Sequence, residues 1–483
     1  MKNIATLLLA ALPCSLIYAA DQPNILFILA DDMRNDSMGC AGHPIIQTPV
    51  LDKLANQGVR FENGFVTTSI CMASRACIFT GMTETGHGYT GGRGGNPPKN
   101  PVLVEDVDTS FPTLLRADGY RTGFFGKQHV TFQEGKEAMD RMFDDYEVIF
   151  RRPFFKKQPD GSLRHTAELI GDRSVEFLQK QDSKEPFLLY MSFNIGHAED
   201  GDKRPGIGHF PWPKAVDGMY EDIQPDDPRL SDPKFFDVLP EFLQDSMNRK
   251  RFYWRWDTLE KYTINMRAYF RMMTGMDRVI GRVVETLEKK GMVDNTVIIF
   301  TADNGYYMGD RGLAGKWSHF EQSLRVPMII YDPRQPVKNR RRVVDPMALN
   351  IDLTATMLEL AGLDIPDKYQ GWSLMPILEG EKPADWRSDF YCEHLLNTQS
   401  IPKWRGVRGT RYTYAKYFEQ KPPFEFLHDL EKDPDQYQNL ATSPEYADIL
   451  KSMRQKTLDY EKAYTRPQVQ AYKQELAAQA EKK

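Results

Sequence analysis

Two pairs of oxygen-donating residues and one cysteine have the residue types and placement in this sequence that could do chemistry. Asp31-Asp32 and Asp303-Asn304 each follow an apolar run, so a fold that sets those runs side by side would gather four oxygen-donating side chains. Oxygen donors suit a hard cation such as Ca²⁺ or Mg²⁺, and the lack of a His or Cys cluster disfavours zinc. Each pair alone also reads as an ordinary helix cap or turn. The cysteine is Cys71, within Ser69-Ile70-Cys71-Met72-Ala73-Ser74-Arg75. If a helix starts there, Arg75 lies one turn further along, where its guanidinium and the helix N-terminal amides would stabilise negative charge formed at the Cys position. The competing reading of a lone Cys is a small buried hydrophobe.

The elements that must position these residues are visible as texture. Asn24 to Ala30 is apolar without alternation, as expected of a strand buried on both faces of a parallel sheet; Pro186 to Phe193 and Thr296 to Phe300 are alike. Helical periodicity lies between them, at Pro49 to Gln57 and Ile264 to Glu288. This alternation predicts an α/β fold, a mostly parallel central sheet sandwiched by helices. Ligands of such sheets gather beyond the carboxyl ends of the strands, which singles out Asp31-Asp32, Asn194 to His197 and Asp303-Asn304. Gly201 to Asp257, rich in Pro, Asp and Trp, reads as a long excursion lining a pocket. Beyond Pro383 the texture becomes Tyr-rich and alternating, as in Gly409 to Ala415, and a charged helix follows from Ser443 to Tyr464. A smaller antiparallel sheet with a terminal helix is expected there. The predicted organisation is a leader at 1–20, a catalytic domain at 21–382 and a C-terminal subdomain at 383–483.

Bulk properties restrict the function further. With 62 Lys+Arg against 67 Asp+Glu, the net charge of -5 provides no global field for nucleic acid. Met1-Lys2 followed by apolar residues to Ala20 has the form of a secretory signal peptide, too short for a stable membrane anchor. A secreted or periplasmic protein is expected; lipidation at Cys14 is the weaker reading, because Pro13 precedes it. Loss of Cys14 with the leader leaves Cys40, Cys71, Cys77 and Cys392, which do not form a disulfide framework.

Several blocks together resemble one family. Cys71-Met72-Ala73-Ser74-Arg75 is similar to the Cys-x-Pro/Ala-x-Arg modification motif of the type I, formylglycine-dependent sulfatases of the alkaline phosphatase-like superfamily. Other blocks fall in the family's order: the strand ending in Asp31-Asp32, Gly119 to Thr122 with Gly126-Lys127-Gln128-His129, Thr301 to Gly305, Gly315-Lys316-Trp317 and Ser323 to Pro327. The resemblance covers roughly residues 22 to 440. At Asn194-Ile195-Gly196-His197 this sequence departs from the pattern, with Gly196 where the family carries Pro.

The resemblance implies that Cys71 is oxidised to formylglycine (3-oxoalanine), whose hydrate supplies the nucleophile and touches one Ca²⁺ held by Asp31, Asp32, Asp303 and Asn304. It implies that Arg75 and Lys127 steady the hydrate and the sulfate. His129 would take a proton from the hydrate, Lys316 would contact the sulfate, and His197 would protonate the leaving alcohol. It also implies a formylglycine-generating or sulfatase-maturating enzyme as partner and a sulfated sugar as substrate. Two other readings remain open, a phosphate or phosphonate ester hydrolase on the same scaffold and an inactive protein that captures sulfated glycans. For substrate recognition the sequence offers Trp212, Trp254, Arg255, Trp256, His394, Arg405 and Arg408, as sugar platforms or anion clamps.

Overall fold

A computed structural model describes residues 22–91, 100–182, 185–201, 209–381, 383–398 and 400–481. The leader expected at 1–20 lies outside the described residues, as does part of the excursion after Gly201. No helix among the described residues is long and apolar enough to cross a membrane.

Eight strands form the main sheet. In chain order they are β1 (Asn24–Ala30), β2 (Val59–Phe61), β3 (Arg121–Gly126), β4 (Asp145–Val148), β5 (Phe187–Ser192), β6 (Thr296–Ala302), β7 (Met328–Tyr331) and β8 (Arg342–Val344). Their spatial order is β8-β2-β7-β6-β1-β5-β3-β4. β7 runs antiparallel to both its neighbours, and the remaining pairings are parallel.

The unalternating apolar runs are explained by two cores, one on each face. Ile25, Phe27 and Leu29 of β1 point into one core and Leu26, Ile28 and Ala30 into the other, as the two-residue strand period requires. The first core is closed by helices Cys71–Thr80 and Asn350–Leu360, the second by Thr166–Lys180 and Leu259–Lys289. Burying each large apolar side chain contributes about 1.5–3 kcal/mol, and this reservoir holds in place the polar groups that crowd the strand ends. The sheet's hydrogen bonding continues past those ends. Asp31 N donates to Ile195 O (2.6 Å), Asp303 N to Ala30 O (3.1 Å) and Lys127 N to Ser192 O (2.8 Å).

The C-terminal region forms the expected antiparallel sheet, β9 (Asp389–His394), β10 (Trp404–Gly409), β11 (Tyr412–Tyr417) and β12 (Phe424–Asp429), followed by helix Ala447–Tyr464. Gly409 to Ala415 is a hairpin rather than one strand, because the chain turns at Thr410-Arg411 between β10 and β11. This sheet is keyed to the first region by the fully buried Trp404, whose Nε1 donates to Trp317 O at 2.9 Å.

Candidate active site

Five adjacent parallel strands, β6-β1-β5-β3-β4, deliver nearly all the site residues from their carboxyl ends. Asp303-Asn304 follows β6, Asp31-Asp32 follows β1, and Asn194 and His197 follow β5. Lys127 and His129 follow β3. Close approach is needed here: at Gly126 (φ 124°) an added Cβ would lie 1.9 Å from Ser192 O. Asp32 and His129 both sit at φ 53°, and Trp317, next to Lys316, at φ 78°. Left-handed non-glycine residues cost of the order of 1–3 kcal/mol each and collect where function demands them.

Cys71 opens a wholly buried helix whose N-cap, Ile70, offers no side-chain cap, so the first-turn amides face the site without an internal acceptor. Its Sγ and one oxygen each from Asp31 and Asp303 lie within 4.8 Å of one another. Asp32 and Asn304 stand beside this trio: Asp32 N donates to Asp303 Oδ1 (3.2 Å) and Asn304 Nδ2 to Asp32 Oδ1 (2.7 Å). Lys127 Nζ is 2.5 Å from Asp31 Oδ2. Lys316 Nζ bonds Asp32 Oδ1 and lies 3.8 Å from Cys71 Sγ.

The residues fit a divalent, oxygen-preferring cation. Asp31 Oδ1, Asp32 Oδ2 and Asn304 Oδ1 are buried acceptors without a hydrogen-bond partner, an arrangement that costs several kcal/mol unless a cation answers it. Burial and the neighbouring Asp31 push Asp303 up to about 8, against the pull of Arg75 and Lys127. Burial also acts to raise Asp31, but Lys127, Lys316 and Arg75 outweigh it and hold that carboxyl below its usual range. Burial, then Lys127 and Arg75, press His129 well below the ordinary imidazole range; burial, then Arg151 and Lys316, do the same to His197. Both imidazoles are therefore neutral at ordinary pH.

A cleft of about 820 Å³ opens onto this floor, lined by Cys71, Lys127, His129, His197 and Lys316 among others. Arg75 lies behind the carboxylates, within reach of the charge of Cys71. Its Nε donates to Asp303 Oδ2 (2.8 Å), its Nη1 to the Lys127 carbonyl (2.8 Å) and to Ser192, so it fixes a carboxylate and two strand ends. Of the seven recognition candidates, only Trp254 lines the cleft. Trp256 is buried against Phe210 and Tyr262, and Arg255 is buried on Asp200. His394 is fully buried, Trp212 lies under Arg271, and Arg405 and Arg408 pair with Glu461 and Glu321. What sequence reasoning missed is Arg151, Arg152, Asp200 and Arg251 on the cleft wall. The first two follow β4, whose Asp-Tyr-Glu-Val sequence is half-exposed and polar, so it carried no signal of a strand. Had that edge strand been recognised, the carboxyl-end rule would have pointed to them.

Strand-end carboxylates, a buried cysteine at a helix start and two lysines fit an ester hydrolase of the alkaline phosphatase-like superfamily. The chain belongs to the sulfatase family: the sulfatase model matches residues 23–363, and the C-terminal model of N-sulphoglucosamine sulphohydrolase matches residues 309–463. An N-acetylglucosamine-6-O-sulfatase of Bacteroides thetaiotaomicron is 27% identical, covering 96% of this chain and 92% of its own. An arylsulfatase of Clostridium perfringens is 29% identical over 90% of this chain and 93% of its own. A protein solved with its substrate D-glucosamine-2-N,6-O-disulfate has a TM-score of 0.75 at 24% identity, covering 92% of this chain and 98% of that one. The phosphonate monoester hydrolase of Agrobacterium radiobacter has the same fold, with a TM-score of 0.74 at 22% identity over 92% and 96% of the two chains.

Proposed function

We propose that this sulfatase is exported and removes sulfate esters from a sulfated glycan, of the glucosamine sulfate class, using formylglycine made from Cys71 and one Ca²⁺. The observation that carries the proposal is the position of Cys71 Sγ, which shares a 4.8 Å cluster with Asp31 and Asp303 at the foot of the cleft. The named substrates of the relatives and the C-terminal family match support the sugar class. The leader-like residues 1–20 support export.

Formylglycine at position 71 would supply a hydroxyl nucleophile with a second exit route that serine lacks. Calcium held by Asp31, Asp32, Asp303 and Asn304 would supply positive charge for the sulfuryl oxygens. The chain's own groups do the rest. Lys127 and Lys316 flank position 71 and would meet the spread charge of the sulfuryl group at the buried foot of the cleft, where such stabilisation is large. His129, neutral beside Lys127, is poised to accept a proton on the nucleophile side. The Nε2 of His197 lies 3.8 Å from Asp32 Oδ2 and faces the floor, where the ester oxygen of the leaving sugar would sit and take a proton from it. A sulfate ester bound between these groups adds negative charge that opposes the lysines and draws a proton onto His197. A formylglycine-generating or sulfatase-maturating enzyme is the partner this chemistry requires.

Mass spectrometry of the tryptic peptide ending at Arg75, from protein made in its native host, tests the proposal. Formylglycine would lower the peptide mass by about 18 Da relative to cysteine. Cysteine found intact throughout would sink the covalent route.

A further inference from the structure

Val148, the last residue of the edge strand β4, and the four residues after it, Ile149 to Arg152, line the cleft, and the His197 loop is tied to them by Asn194 Nδ2 donating to Ile149 O at 3.0 Å. The arginines on this wall are not equivalent. Arg152 Nε lies 2.7 Å from Glu199, Arg251 Nη2 lies 2.8 Å from Asp200 Oδ2, and Arg255 holds the other oxygen of Asp200. Arg151 has no carboxylate partner among the described residues; its Nη1 meets only Nδ1 of His197. Asp200 feels its field, yet both oxygens of Asp200 are already engaged. A guanidinium is always charged and presents paired N–H groups suited to a carboxylate or sulfate, and Arg151 presents them on the cleft wall.

Its place relative to the chemistry is also set. His197 turns Nε2 toward Asp32 and Nδ1 toward Arg151, so Arg151 lies on the far edge of the imidazole from the carboxylate floor. His197 and Arg151 both line the cleft above the floor, so with the scissile sulfate on the floor the leaving sugar would extend along this wall. We infer that Arg151 is a second anion subsite, which binds a carboxylate or a further sulfate on the leaving sugar and makes this enzyme select substrates with two neighbouring negative charges. The inference rests on the sulfatase reading above, which sets the direction of the leaving group. Half-buried charge-assisted hydrogen bonds of this kind give a preference of about tenfold to a hundredfold.

Calorimetric titration of the full-length Cys71→Ala protein measures this without turnover. Three probes suffice: glucosamine 6-sulfate, glucosamine 2-N,6-O-disulfate, and glucosamine 6-sulfate joined to a uronate. The second anion is expected to tighten binding by about tenfold or more; Arg151→Ala removes that gain and Arg151→Lys restores part of it. A gain with the disulfate alone assigns the subsite to sulfate, and one with the uronate alone assigns it to carboxylate. Equal weakening of all three ligands by Arg151→Ala would mean that Arg151 acts only through His197, and absence of any gain or of any binding would equally overturn the subsite. Turnover of aryl sulfate by the unsubstituted enzyme, followed separately, tells which idea has failed. Turnover without the preference removes the subsite alone, whereas preference without turnover removes the catalytic reading.

Discussion

The floor and the wall of the cleft are built by different means. On the floor, Asp31, Asp32, Asp303 and Asn304 are all at 0% exposure, clamped by strand-end hydrogen bonds and by Arg75, Lys127 and Lys316. On the wall, Phe150 is 72% exposed, and Arg151 and Trp254 are half-buried on loops and a short helix. The floor is determined several times over by the sheet, whereas the wall hangs from a few contacts. Chemistry and selectivity are thus separable, and a change in the wall need not disturb the floor.

Substitutions should expose that separation. Cys71→Ala is expected to lower kcat by at least about 10⁴-fold in steady-state assays, with an unchanged unfolding midpoint, because it removes the proposed nucleophile position and little volume. A folded variant with residual activity near that of the parent would abolish the distinction between the two regions. His197→Ala stands at their junction. It should cost about 10²–10⁴-fold on a sugar sulfate and much less on an activated aryl sulfate, whose leaving group needs no proton. Equal losses on the two substrates would assign His197 to the floor alone. Two nearby tryptophans make the sharpest contrast. Trp256→Ala should destabilise by about 3–5 kcal/mol in denaturant unfolding, since it empties a site packed by Phe210 and Tyr262. Trp254→Ala should stay within about 0.5 kcal/mol of the parent and instead raise KM for the sugar severalfold.

The same division governs what could be read before the fold was known. β1 is buried throughout and emerges with the bounds its apolar run indicates, Asn24–Ala30, and the acids after β1 and β6 fall where the carboxyl-end rule places them. Helix Cys71–Thr80 and the one-turn spacing to Arg75 are as expected too. What Arg75 touches was not legible, because Asp303, Ser192 and Lys127 come to it from strands far away in sequence. The wall was least legible of all. Trp254, Arg255 and Trp256 look alike as a sequence, but successive residues of a helix point in different directions, and only Trp254 meets the cleft. In the four-stranded sheet, the alternation of Gly409 to Ala415 spans a hairpin turn, since polar turn residues there sustain the pattern of the flanking strands.

Cys71 is 4% exposed, and Met72, Ala73, Ser74 and Arg75 after it are helical and buried as well. A maturating enzyme that reads this five-residue stretch in extended form has no access to it once the helix is seated between the sheet and Asn350–Leu360. On the proposed formylglycine reading, oxidation of Cys71 would therefore belong to the life of the nascent chain, before the core closes. On that reading a molecule that folded first would keep its thiol, and the active fraction of a preparation would be set by a race between maturation and folding.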